Sequence, residues 1–398
     1  MTTTQQDPIV VVGMARTAMG SFQGVLAPMT SPQLGSAAIK GAIARAGVKP
    51  EEVSEVLMGC VLPAGIGQAP ARQASIFAGI PNTVPCTTVN KMCGSGMKTV
   101  MQAYDALHAR PADVIVAGGM ESMTNAPYLL PKMRNGARLG HAEVKDHMFL
   151  DGLEDAFDKG RLMGTYAEDT AQHYQFTREA QDAFATESLK RAKKANEDGS
   201  FARELVAVSV KGRNGATEVA QDEQPFTADL TKIPKLKPAF REGGTVTPAN
   251  SSSISDGAAA LVLMRLSEAK RRKLQPLGKI SGVAGVAQAP AWFTTAPIGA
   301  MKKVLEQVGW DAKDVGLYEI NEAFAVVAMA AMRDLGLPHD KVNVHGGACA
   351  LGHPVGASGA RIIITLLNAM EKYGQDKGVA SLCIGGGEAT AVAVERMM

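Results

Sequence analysis

The chain has 398 residues with a formal charge of +2, of which 46% are hydrophobic, 20% charged and only 5% aromatic. Such a length supplies two or three cores rather than one, and without Lys/Arg blocks interleaved with aromatic side chains no nucleic-acid partner is expected. Met1 to Pro8 has no basic region followed by an apolar stretch, and no run of about 18 apolar residues occurs, so the expectation is a cytoplasmic protein without a membrane partner. Cys60, Cys86, Cys93, Cys349 and Cys383 show no Cys-x-x-Cys spacing, which argues against a disulfide framework and against a metal site and leaves thiol chemistry.

The first strand, Ile9 to Met14, is not followed by Gly-x-Gly-x-x-Gly, which argues against a dinucleotide-binding fold. Ile39 to Val53 reads as helix, Gly stop at Gly47, acidic turn and strand. In VNKMCGSGMKTVMQAYDAL a strand ends at Val89 and Met97, Val100, Met101 and Tyr104 form a helical apolar stripe, so Cys93 sits at a helix start. Free N–H groups and the positive dipole end there favour a thiolate. An ordinary thiol is ~3% ionised at pH 7, so full ionisation needs about 2 kcal/mol. A small buried cysteine at a strand-helix junction fits this segment equally well.

From about Ser122 to Ile254 the chain turns richer in charge, Met and Gly, with few regular helices besides Arg178 to Glu197, and it reads as an insertion covering a site. Beyond it the first pattern returns. Met301 to Val315 matches Ile39 to Val53 without gaps and stops at Gly309; Ser358-Gly359-Ala360-Arg361 matches Ser95-Gly96-Met97-Lys98; Ile384-Gly385-Gly386-Gly387-Glu388 matches Ala117-Gly118-Gly119-Met120-Glu121. Matched blocks in one order predict two similar halves of alternating strands and helices, layered α/β with mostly parallel sheets. The expected division is 1–121, an insertion at 122–254, a return to the first half at 255–275, and a second half at 276–398.

Three segments of the second half hold candidate groups. Asn321 and Glu322 follow a strand over Gly316 to Ile320 and serve either as site polar groups or as a helix cap. His353, in GGACALGHPVGASGAR, lies before the helix equivalent to the one at Cys93, so the repeat brings it to the same central face as a base for the thiol, with Pro354 holding its backbone extended. That glycine-rich stretch lacks the Gly-Lys-Ser/Thr ending of a nucleotide loop. Cys383 closes a strand over Gly378 to Ile384, where the following glycines allow close backbone approach and an N–H for an oxyanion.

VNKMCGSG, GTVTPANSSSISDGAAA, NEAF, GHPVGASGAR and CIGGG occur in the order found in thiolases, and the chain resembles that family over essentially its whole length. The resemblance implies a thiolase-like fold with an inserted loop domain, and reversible Claisen condensation of two acetyl-CoA to acetoacetyl-CoA and CoA, or thiolysis of short 3-oxoacyl-CoA. It implies Cys93 as acylated nucleophile, His353 as its base, Cys383 as acid/base for the α-proton, Asn321 holding a water that with His353 forms one oxyanion hole, and the N–H groups of Cys93 and Gly385 forming the other. It further implies coenzyme A as substrate and product with no permanently bound cofactor. Ser252 would lie near the pantetheine, Phe240, Ala249, Leu153 and Ala323 at pocket positions, Met163 and Phe324 at the acyl end, and Lys232, Lys235 and Lys237 within reach of phosphates.

Two positions depart from the pattern. Short-chain members commonly carry His-Met-Gly at Leu162-Met163-Gly164, and the family often has Asn or another polar residue at His345, beside which a different network around His353 is expected. Exposed sheet edges and the resemblance imply a homotetramer, as a dimer of dimers, or a homodimer. A longer-chain 3-ketoacyl-CoA thiolase is the alternative; a ketosynthase, with an added His where NEAF stands, and a silent acyl-CoA-binding protein rank lower.

Overall fold

A computed structural model describes residues 7–110, 113–212 and 215–397; of the stretch read for a targeting signal, all but Asp7 and Pro8 lies outside the described residues. The first half contributes β1 (Ile9–Thr17), α1 (Ser31–Ala46), β2 (Glu55–Gly59), α2 (Pro70–Phe77), β3 (Cys86–Val89), α3 (Ser95–Ala109) and β4 (Ile115–Ser122). The insertion carries α4 (Met163–Tyr174) and α5 (Arg178–Glu197), with one short strand pair before α4 and another after α5. Then follow β5 (Ser255–Arg265), β6 (Gly278–Ala287), α6 (Ala296–Val308), β7 (Leu317–Ile320), α7 (Ala325–Leu335), α8 (Val355–Lys372), β8 (Lys377–Ile384) and β9 (Glu388–Arg396).

The matched blocks fold alike. α1 ends at Gly47 and α6 at Gly309, both left-handed caps with φ of 67° and 70°, and a 3-10 turn leads each into its strand. The strands run in the order β7-β8-β9-β6-β1-β5-β4-β2-β3, and the halves join over Ile9–Val11 against Gly278–Ile280.

The sheet is mixed, which corrects the expectation of mostly parallel strands: β4-β2-β3 and β7-β8 are parallel, but β5 pairs antiparallel with β1 and β4, as β9 does with β6 and β8. A three-glycine link between β8 and β9 leaves no chain for the crossover that a parallel pair needs.

α1 and α2 cover one outer face and α6 and α7 the other, while α3 and α8 pack on each other and on strands of both halves. α8 is buried without interruption from Val355 to Met370, and its buried polar side chains are partnered: Ser358 with Pro354, Arg361 with Glu319, Thr365 and Asn368 with Glu204. This packing requires glycine: a Cβ on Gly119 of β4 would sit 1.9 Å from the Gly356 carbonyl oxygen. The starts of α3 and α8 thereby meet at the ends of β4 and β8. Fully buried Arg16 pairs with Glu204 at 2.5 Å and Asp222 at 2.7 Å, tying the insertion to β1. Among the described residues no helix is long and apolar enough to cross a membrane.

Candidate active site

Cys93 lies at the end of a distorted turn that places it at the wall of an internal cavity. Met92 has φ of +47°, a left-handed conformation costing a Met about 1–3 kcal/mol. Local hydrogen bonds hold it: the Met92 N–H donates to Asn90 Oδ1 at 3.0 Å, the Lys91 N–H to Ser95 Oγ at 2.9 Å, and the Ser95 hydroxyl to the Met92 carbonyl at 2.6 Å. Nothing in the sequence marked Met92, since the residue type carries no preference for that backbone.

Burial pushes the Cys93 thiol up, against the backbone N–H groups of Gly385 and of Cys93 itself, and the charge of Glu121 adds to the rise. Desolvation therefore outweighs the helix end, and a base has to take the proton. Cys383 is fully buried and raised further, first by burial and then by the nearby Cys93.

His353 is placed by a residue the sequence reading used only for the repeat. Ser358 lies one turn into α8; its hydroxyl donates to the Pro354 carbonyl at 3.1 Å and stands 2.6 Å from His353 Nδ1. With that proton committed, Nδ1 must donate to Ser358, and Nε2 carries the free lone pair. Burial, then the Arg361 charge, hold the imidazole pKa down to about 3, so the ring is neutral. Its Nε2 is buried with no partner among the described residues, and so is Asn321 Oδ1, while Asn321 Nδ2 lies 3.5 Å from the ring. Leaving such atoms unpaired costs about 1–3 kcal/mol each. Two of them on neighbouring side chains mark a place for a reacting group.

Glu322 is not a helix cap, because α7 begins three residues later. Its carboxylate accepts from Ser188 of α5 at 2.7 Å, Asn343 at 2.8 Å and the Cys349 N–H at 3.1 Å, fixing the insertion beside Asn321. On the opposite side Glu121, raised to about 7 by burial, accepts from the N–H groups of Val61, Leu62 and Gly356 at 2.8, 3.2 and 3.0 Å.

These groups adjoin a cavity of about 340 Å³ lined by Cys93, Gly385, Leu153, Leu162, Met163, Phe240, Ser252, Ala323 and Phe324. The sequence missed Phe149, Phe293 and Val355, which also line it; Phe149 and Phe293 lie in short irregular turns that give no periodic signal, and Val355 is the first residue of α8, before its pattern is established. Val355, two residues beyond His353, belongs to the apolar cluster of Val61, Leu62, Met123 and Met148 against which Met92 and Cys93 pack. Ala249 is not among the lining residues; it packs on the cluster of Leu189, Phe201, Ile233 and Leu351. Lys232, Lys235 and Lys237 also lie outside the lining. Among the described residues His345 has no hydrogen bond to the His353 network, contrary to expectation: it stands edge-on to Phe201 at 5.5 Å and beside Tyr373 at 5.6 Å, both ring nitrogens buried without a partner, with a pKa lowered by burial to about 4.

The chain is 46% identical over 393 residues to an acetyl-CoA acetyltransferase of Allochromatium vinosum, covering 98% of this chain and 100% of the relative. It is 49% identical to one from Cupriavidus necator, covering 98% and 99%, and 48% identical to the cytosolic acetyl-CoA acetyltransferase of Mus musculus, covering 98% of each. Among solved structures, a thiolase from Ascaris suum in complex with coenzyme A superposes with a TM-score of 0.93 at 39% identity, covering 98% of this chain and 100% of that one. The N-terminal thiolase domain matches residues 9–267 and the C-terminal thiolase domain residues 274–396, and the chain belongs to the thiolase family.

Proposed function

We propose that this acyltransferase is an acetyl-CoA C-acetyltransferase, condensing two acetyl-CoA to acetoacetyl-CoA and CoA and cleaving short 3-oxoacyl-CoA in reverse. The observation that carries the reading is the pair of unpartnered buried atoms, His353 Nε2 and Asn321 Oδ1, on residues two positions from Val355 and Ala323, which line an apolar cavity together with Cys93. His353 Nε2 takes the Cys93 proton, and Sγ attacks the thioester carbonyl. The N–H groups of Cys93 and Gly385 receive the oxyanion of the acyl-enzyme step, and the acyl group stays on Cys93 as CoA leaves, taking the proton of the Cys383 thiol and leaving Cys383 a thiolate. Cys383 then removes the α-proton of the second acetyl-CoA, while Asn321, through a water, and the protonated His353 stabilise its enolate. Attack on the Cys93 thioester closes the cycle and frees the thiolate.

Ser252, Leu153, Leu162, Met163, Phe240, Ala323 and Phe324 form the channel for pantetheine and acyl group. The relatives named as acetyl-CoA acetyltransferases and the coenzyme A bound to the Ascaris suum thiolase support this substrate class. The insertion at 122–254 serves as the coenzyme A-binding loop domain. We also assign a homotetramer or homodimer: the hairpin of Tyr128–Leu129 with Lys145–Asp146 and its link expose Tyr128, Leu130, Met133, Leu139 and Val144. Such an apolar patch suits contact with another copy.

Incubation with labelled acetyl-CoA followed by peptide mapping tests the core of the proposal. The label is expected on Cys93 alone. Label elsewhere, or normal turnover in Cys93→Ala, refutes it.

A further inference from the structure

The two turns that aim N–H groups at Cys93 come from different halves of the chain, and each is locally weak. One contains the left-handed Met92; the other is Gly385-Gly386-Gly387, with φ of 95° and 93° at the last two. Three glycines leave the direction of the Gly385 N–H undetermined by the chain itself, so something outside the turn has to set it.

Lys91 and Glu388 are placed to do so. Lys91 bridges to Cys93, and its carbonyl accepts the Gly94 N–H at 3.1 Å. Glu388 faces Ile384 across the base of the glycine hairpin. Their side chains form an ion pair between residues 297 apart in sequence. The turns also touch: a Cβ on Gly94 would lie 2.4 Å from Ile384 Cδ1.

The other half of the repeat holds a counterpart. Glu121, which the sequence matches to Glu388, reaches from the end of β4 to the Gly356 N–H at the start of α8. Each half thus sends a glutamate from behind its glycine-rich strand end to the turn opening the inner helix of the other half. The Lys91–Glu388 contact is therefore part of a repeated design rather than a chance surface pair.

We propose that Lys91 and Glu388 are positioning residues whose ion pair straps the nucleophile turn to the Gly385–Gly387 turn and so keeps the Gly385 N–H on Cys93. The proposal rests on Cys93 as nucleophile. Its consequence differs in sign from that of charge alone. Removing Lys91 leaves a negative charge and removing Glu388 a positive one, so charge alone moves the Cys93 titration up in one variant and down in the other. Loss of the strap takes away a donor in both and moves it up in both.

The test follows the pH dependence of iodoacetamide labelling at Cys93, mapped by peptide mass, with kcat and KM for thiolysis of acetoacetyl-CoA, in native enzyme, Lys91→Met, Glu388→Gln and the exchanged pair Lys91→Glu/Glu388→Lys. The strap predicts an upward shift of the labelling profile in both single variants and a fall in kcat of about 10-fold, below the ~10²–10³ for outright loss of an oxyanion donor. KM should stay within about twofold, because the donor acts on charge formed after binding. The exchanged pair should recover most of the activity. A downward shift in Glu388→Gln, or lowered thermal stability with unchanged profiles and kcat, overturns the proposal. Absence of labelling at Cys93 in the native enzyme overturns the nucleophile assignment and the proposal with it.

Discussion

Substituting Gly164 by Ala tests how closely the insertion sets the size of the acyl pocket. Gly164 is the second residue of α4, and a Cβ there would lie 2.4 Å from Cγ, Cδ1 and Cδ2 of Phe240. Carbon atoms pack at about 3.5–4.0 Å, so the ring must retreat by roughly 1.1 Å or more. Phe324 stands edge-on to it at 5.9 Å and 83°, and both line the 340 Å³ cavity, so the retreat narrows that cavity. Ala gains up to about 1 kcal/mol over Gly in helix propensity, and overpacking costs ~1–3 kcal/mol. The expected net loss of stability is therefore only about 0–2 kcal/mol. Activity should respond more selectively. Each methylene denied burial forfeits ~0.8 kcal/mol, so the two that distinguish 3-oxohexanoyl-CoA from acetoacetyl-CoA amount to about a 15-fold fall in relative kcat/KM. Steady-state thiolysis of both substrates, with thermal melting as control, measures it. Adding Phe240→Ala should restore the ratio. An equal effect on both substrates, or none, shows that the contact does not govern the pocket.

Cys383→Ser should still acylate at Cys93 yet lose condensation and α-proton exchange by ~10²–10⁴-fold, the range for a displaced acid/base; normal exchange, read by deuterium incorporation into acetyl-CoA, makes Cys383 structural. Leu162→His restores a donor near the thioester worth about 1 kcal/mol and should raise the preference for acetoacetyl-CoA over 3-oxohexanoyl-CoA about 5-fold; an unchanged ratio of efficiencies removes Leu162 from the specificity argument. His345, with a folded pKa of about 4, contributes stability present above the unfolded pKa of ~6.5 and lost as pH falls toward 4. His345→Phe, among Phe201 and Tyr373, should remove up to roughly 3 kcal/mol of that acid loss, seen as a smaller drop in urea midpoint between pH 7 and pH 4.5; equal drops in both proteins assign the acid sensitivity elsewhere.

Much of this was legible because the repeat carries it. Gly47 and Gly309 stop matched helices, and Ser95 and Ser358 lie in the first turns of matched ones, so the approach of the Cys93 and His353 segments, whose Cys93 and Val355 line one cavity, followed from the repeat. The sheet's antiparallel centre did not follow, because strand patterning is blind to partner direction; only the short glycine link before Glu388 hinted at it. The ionisation of Cys93 was misjudged for a related reason. A helix start is visible in sequence, whereas desolvation and the approach of Glu121, 28 residues further on, depend on packing across both halves. The irregular insertion gave up Leu162 and Met163 through resemblance, but placed Ala249 where the fold does not line the cavity.

The inner helices α3 and α8, packed on each other and on both sets of strands, give the chain the anatomy of a symmetric dimer whose protomers share one polypeptide. In a true dimer every catalytic group appears twice, and each change in one copy is forced on the other. Covalent fusion lifts that constraint. The position matched to Cys93 is Gly356, and the one matched to His353 is Asn90. Each half is thus free to keep a side chain the other lacks, and neither can be cut away without exposing the buried helix that the other completes.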